Sequence, residues 1–228
     1  MNVLAIDTST TKLVVGVCAR TTDTVTVLAD VSVTDSRHHN ELLTPLVQQA
    51  LAAVGGDFSL LDAVVVGEGP GPFTGLRVGM ASAQAFADAL SIPVYGVMSL
   101  DALAAEVATS HPEAASGRLV VATDARRHEV YVAAYDNGDR VAGPDVVKPE
   151  ELSGDYSAAD IVCVPEALAE KVATTGTRVQ VEVTPASLVA VADWDSKPHP
   201  LRPHYLRRPD AAEPKQKPKS KAIPDVQL

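Results

Sequence analysis

Apolar residues open the chain in three short blocks, 3–7, 13–19 and 25–33, rich in Val and Thr and separated by turns of Thr, Ser and Asp. Blocks of this length between turn formers read as strands, and three in succession predict an antiparallel meander. The periodicity then changes. Over 38–54, Leu42, Leu46 and Ala53 share one side at helical spacing while Leu43, Val47, Ala50 and Val54 share another, and Gly55-Gly56 ends the run. Pro45 inside it predicts a kink or a late helix start. A buried strand over 61–66, an alanine-rich helix over 80–90, a strand over 93–97 and a helix over 100–109 follow. Strands alternating with helices predict an α/β layer architecture.

The second half repeats the opening. Val3-Leu4-Ala5-Ile6-Asp7, a turn over 8–12 and a strand from Leu13 correspond to Val120-Val121-Ala122-Thr123-Asp124, a turn over 125–129 and a strand from Val130, so residue 3 matches residue 120 at an offset of 117. Beyond Asp136 the pattern offers strands over 140–147 and 160–164, a helix over 165–173 and a weak helix over 185–193. This duplication is similar to the actin, sugar kinase and Hsp70 ATPase superfamily, whose two lobes each set an Asp-bearing hairpin against a nucleotide phosphate. The expected organisation is an actin-like α/β fold with an N-terminal lobe over 1–110 and a reduced C-terminal lobe over 111–208. From residue 209 the chain lacks apolar content, and 209–228 are expected to form a disordered tail.

Between the strand at 61–66 and its helix lies Gly67-Glu68-Gly69-Pro70-Gly71-Pro72-Phe73-Thr74-Gly75-Leu76-Arg77-Val78-Gly79. No GxxxxGK[ST] threads through it, and Gly69-x-Gly71-x-x-x-Gly75 misses GxGxxG by one residue. Two readings stay open. Gly69, Gly71, Gly75 and Gly79 form a structural turn that lets two backbones pack closely, or the helix N-terminus binds an anion. Thr74 is the candidate cap.

Charge narrows the choices. The 228 residues carry 19 Lys and Arg against 29 Asp and Glu, a formal −10, which opposes independent binding to nucleic acid. The first seven residues have no basic stretch and reach a charge at Asp7, and no apolar run is long enough to span a bilayer, so a cytoplasmic protein is expected. Cys18 and Cys163 lie far apart in apolar runs and read as buried thiols. His38 and His39 are adjacent, and His111, His128, His199 and His204 form no pair at ligand spacing, so no metal site is expected. No GxSxG elbow surrounds Ser82 or Ser99.

Four segments together resemble the TsaB family: Ile6-Asp7-Thr8-Ser9, the glycine segment from Gly69 to Gly79, Asp124-Ala125-Arg126-Arg127-His128-Glu129-Val130-Tyr131, and Pro203-His204-Tyr205-Leu206-Arg207. These are the non-catalytic subunits of the bacterial machinery that attaches threonylcarbamoyl to the adenosine beside the tRNA anticodon. The resemblance implies an actin-like fold without chemistry of its own, a heterodimer with TsaD, the ATPase TsaE in the complex, a homodimer when isolated, and contact with tRNA only through the complex. It implies no cofactor of the chain's own, with nucleotide at the shared interface of the complex at most.

The residues agree in one respect. Active members of the superfamily carry Gly two residues after each hairpin Asp, where this chain has Ser9 and Arg126, so Asp7 and Asp124 read as vestigial phosphate-hairpin positions or turn caps. Leu42, Leu46, Met80 and Ala83, on the first two helices, are the expected partner surface. An autonomous ATP-dependent phosphotransferase of the sugar or acetate kinase type is the alternative, and a peptidase is a third reading.

Overall fold

A computed structural model describes residues 1–34 and 38–207; the expected tail at 209–228 lies outside the described residues. Strands β1 (Asn2–Asp7), β2 (Val14–Arg20) and β3 (Val25–Asp30) form the meander. Helix α1 (His39–Ala53), strand β4 (Ala63–Gly67), helix α2 (Phe73–Leu90), strand β5 (Val94–Val97) and helix α3 (Ser99–Ser110) complete the first half. The second half has β6 (Arg118–Asp124), β7 (Val130–Asp136), β8 (Asp139–Val147), β9 (Ala158–Cys163), β10 (Thr175–Val179) and helix α4 (Pro185–Ala190).

The two sheets run in the orders β3-β2-β1-β4-β5 and β10-β9-β6-β7-β8. In each, the first strand of its half pairs antiparallel with the second and parallel with the fourth: β1 with β2 and β4, β6 with β7 and β9. The repeat seen in sequence is therefore a repeat of topology, and this is the actin-like duplicated α/β fold. β1, β4 and β6 are buried along most of their length, which is why they read as continuous apolar runs rather than alternating ones.

The second sheet is as large as the first; the reduction is in its helices. Where a helix was expected over 165–173, the chain makes one 3₁₀ turn at Glu166–Leu168 and then enters β10, a strand the pattern did not reveal. Two tertiary demands override the local helical preference. Val172 is buried, and the Ala173 amide donates to the Pro149 carbonyl at 2.9 Å instead of to a helical partner.

α1 starts at His39, ahead of Pro45, so the proline sits inside the helix and no late start occurs. α2 starts at Phe73, earlier than the alanine-rich run suggested. Pro72 is its N-cap without a side-chain cap, so Thr74 lies within the helix and caps nothing.

One apolar cluster joins the sheets, with Val3, Ala5 and Cys18 from the first, Val121 and Ala133 from the second, and Leu100, Leu103 and Leu188 from α3 and α4 between them. α4 is held by a capping box, Thr184 and Ser187 each donating to or accepting from the other's backbone, and packs on β1, β2 and β3. The last helix of the second half thus returns to the first sheet, across the boundary expected at 110. No described helix is long and apolar enough to cross a membrane.

Candidate functional site

β1 ends in Asp7, which is 1% exposed. Its Oδ1 accepts from the Ser9 amide at 2.7 Å and the Ser9 hydroxyl at 2.6 Å, and its Oδ2 accepts from the Ser99 hydroxyl at 2.5 Å. Burial pushes the Asp7 carboxyl above the ordinary carboxylate range, and the donors from Ser9 and Ser99 together with the nearby His39 oppose the rise.

The glycine turn closes over this hairpin. A Cβ at Gly71 would stand 2.6 Å from the Ser9 carbonyl oxygen and 2.7 Å from the Ser9 Cα, and one at Gly75 would stand 2.6 Å from the Thr8 carbonyl oxygen. Gly79 packs against the Thr8 hydroxyl, which donates to the Gly75 carbonyl at 2.8 Å. Gly69, with φ +98, directs its carbonyl to the Ser99 amide at 2.8 Å. Gly71 and Gly75 thus form a backbone-to-backbone seam with residues 8 and 9, Gly79 meets the Thr8 side chain, and Gly69 joins the turn to Ser99. At Gly71 and Gly75 the missing side chain is a matter of space.

The second hairpin repeats the geometry in the open. Asp124 Oδ1 accepts from the Arg126 amide at 2.7 Å, the same two-residue turn that Asp7 makes with Ser9, but Asp124 is exposed. Arg126, Arg127 and His128 follow with φ of 61, 54 and 62, three successive non-glycine residues in left-handed backbone. Both aspartates thus cap their hairpins, and the repeat holds two unlike environments.

A C-terminal strap, residues 201–207, links the hairpins, and sequence reasoning assigned it no role. The Arg202 amide donates to Glu68 Oε1 at 2.6 Å and the His204 amide to the Glu68 carbonyl at 2.8 Å. Glu68 is 3% exposed, and the strap is what satisfies it. Tyr205 packs on Phe73 with ring centroids 4.9 Å apart and the planes tilted by 33°, and its hydroxyl accepts from Arg77 Nε at 3.2 Å. Arg207 reaches the second hairpin, donating to the Ala125 carbonyl at 3.0 Å and the Arg126 carbonyl at 3.5 Å and pairing with Glu129. The signal available in sequence was the segment Pro203 to Arg207, one of the four that carry the family resemblance.

Of the expected partner residues, Leu46, Met80 and Ala83 are buried within the chain's own core, and Leu42 is half-buried against the same cluster. These side chains fasten α1 and α2 to the sheet, so they are not the free face of the pair. That face carries Thr44 and Gln48 on α1 and Ala81 and Ala85 on α2, all exposed, while Arg77, nearer the start of α2, turns to Tyr205 of the strap. Near the start of both helices an open groove is lined by Asn40, Phe73, Thr74, Val78 and Ser82.

Among the described residues no three His, Cys, Asp or Glu side chains converge as a metal site. Cys18 and Cys163 are buried free thiols; burial raises both, that of Cys18 to about 12. The Ser99 hydroxyl is committed to Asp7 and to the Gly69 amide.

Duplicated sheets, paired Asp hairpins and a glycine turn seated on the first of them define a member of the actin-like class. Residues 26–192 match the family model described as TsaD, tRNA N6-adenosine threonylcarbamoyltransferase, and the chain belongs to that family as a TsaB-like protein. It is similar to an uncharacterized protein of Mycobacterium tuberculosis, 46% identical over 92% of this chain and 93% of the relative. It is also similar to the tRNA threonylcarbamoyladenosine biosynthesis protein TsaB of Escherichia coli, 33% identical over 53% of this chain and 56% of the relative. The solved structure of YeaZ from Pseudomonas aeruginosa superimposes with a TM-score of 0.67 at 26% identity, over 83% of this chain and 89% of that one.

Proposed function

We propose that this chain is a non-catalytic scaffold subunit in tRNA threonylcarbamoyladenosine biosynthesis, pairing with a TsaD-type transferase. The observation that carries the reading is the filled first hairpin. Ser9 turns its hydroxyl onto Asp7, and Gly71 lies against the Ser9 backbone, so the ground a phosphate would need is occupied by the chain itself. The family match and the TsaB relatives support the pathway.

The exposed face of α1 and α2 is the pairing surface in this reading. Small residues at Ala81 and Ala85 allow a close helix crossing. The same face serves a homodimer when the partner is absent. TsaE and any nucleotide join at the assembled complex, in the cytoplasm, and tRNA is held mainly by the partner because this chain is acidic.

Mixing the purified chain with its cognate TsaD-type protein and measuring mass in solution tests the assignment. A one-to-one complex is expected, disrupted by Ala81→Glu or Ala85→Glu, with labelled tRNA bound by the complex and deletion of 209–228 changing that binding little. ATP turnover by the isolated chain would instead favour the phosphotransferase.

A further inference from the structure

Up to residue 208 the chain holds 15 Lys and Arg against 26 Asp and Glu, yet its cations are unevenly placed. Arg77 on α2, Arg202 on the strap and Arg126 on the second hairpin all stand on segments that the strap joins, since it touches Glu68, Phe73 and Arg77 at one end and Ala125, Arg126 and Glu129 at the other. The carboxylates on those segments are already engaged. Glu68 lies buried under the strap, Glu129 pairs with Arg207, Asp124 accepts from the Arg126 amide, and Asp7 is enclosed. The guanidinium groups of Arg77, Arg126 and Arg202 have no carboxylate within ion-pair distance among the described residues, and all three residues are exposed.

Beside them stand the two large aromatic residues that the described chain leaves exposed, Phe73 at 36% and Tyr205 at 37%. Their rings lie 4.9 Å apart, and the Arg77 guanidinium sits 3.9 Å over Phe73 while bonding Tyr205. The rings are therefore held in place before anything binds. A part-exposed ring bordered by a guanidinium, with further cations on the adjoining strap and hairpin, is the chemistry that accepts an unstacked base and its flanking phosphates. An acidic peptide would use the cations but leave the ring faces without a flat partner.

Building on the proposed function, we infer that Phe73, Tyr205 and Arg77, with Arg126 and Arg202, form a platform for an unpaired stretch of RNA, the loop of the tRNA substrate. A base stacks on the Tyr205 ring, which Phe73 and Arg77 hold in place, and the backbone follows the strap, whose residues 202–207 span at most about 20 Å. The surplus of acids over the rest of the chain repels a polyanion, so the platform acts where a partner supplies the main attraction.

The test uses the reconstituted complex with the TsaD-type partner and labelled tRNA at several salt concentrations, with assembly followed by mass and folding by thermal unfolding. Tyr205→Ala and the milder Phe73→Leu, which keeps apolar bulk but loses the flat face, should each weaken tRNA binding about tenfold. Arg126→Gln combined with Arg202→Gln should lower the salt slope by about 1 to 2. Assembly should be unchanged in all of them. Undiminished tRNA affinity and slope in folded, assembled variants would overturn the platform while leaving the scaffold assignment standing. Loss of assembly would overturn it too, marking the rings as a protein contact. If the wild-type mixture never assembles, the scaffold assignment fails instead. The isolated chain then decides the platform: low-salt tRNA binding that Phe73→Leu weakens supports it, and no binding overturns it.

Discussion

Gly71→Ala adds a single methyl group where the glycine turn meets the first hairpin. The new Cβ would stand 2.6 Å from the Ser9 carbonyl oxygen, 2.7 Å from its Cα and 3.0 Å from its carbonyl carbon, where ordinary contact begins at 3.4 Å. Relief demands a separation of about 0.8 Å between two backbones, since no flexible side-chain end is involved. Neither segment yields easily. Ser9 is tied to Asp7 through both its amide and its hydroxyl, and residues 70 and 72 are prolines. Overpacking of this kind costs about 1–3 kcal/mol. For a chain of this size that lowers the melting temperature by about 3–10 °C. Gly75→Ala meets one backbone atom, the Thr8 carbonyl oxygen at 2.6 Å, and gains about 1 kcal/mol of helix propensity inside α2, so its net loss should be smaller. Thermal unfolding of both variants, with mass measurement alongside the TsaD-type partner, reads these effects. Gly71→Ala melting within about 1 °C of wild type would refute the close-packed seam. A Gly71→Ala protein that stayed folded and paired but lost ATP affinity would show the turn to be an anion site.

The buried Asp7 makes stability depend on pH. Its folded pKa lies above the unfolded value, so its favourable contribution is complete below the unfolded pKa and is lost as pH rises through the folded one. Asp7→Asn, neutral throughout, should match or exceed wild type in urea unfolding at pH 7–8, with the difference shrinking toward pH 4; a wild-type advantage growing with pH would contradict this. Arg207→Ala removes the strap's hold on the Ala125 and Arg126 carbonyls and on Glu129, in a site where Arg207 is 22% exposed. A loss of about 1–3 kcal/mol is expected, together with faster hydrogen exchange at the His204 amide that bonds Glu68. Unchanged exchange would mean the strap is held elsewhere. Cys18, with its thiol near 12, and the buried Cys163 should resist a thiol reagent at pH 8 until urea is added, and rapid native labelling of either would show an opening the packing does not contain.

The meanders, the first three helices and the duplication were legible because each rests on a local period: β-branched blocks between turns, leucines at helical spacing, and Val3 to Asp7 answered by Val120 to Asp124. The glycine turn was legible as a turn, since small residues and prolines declare themselves in any context. Other features were decided only by contacts distant in sequence. Residues 165–173 favour a helix by composition, yet the Pro149 carbonyl and the burial of Val172 redirect the chain into β10. Leu46 shares a stripe of α1 with half-buried Leu42, and Met80 and Ala83 lie together on α2, but helical spacing cannot say whether a stripe meets the chain's own sheet or another protein. The seam of Gly71 on Ser9 joins residues 62 positions apart, and the strap joins Arg202 to Glu68 across 134. An apolar period reports that a face must be covered; only the folded backbone decides what covers it.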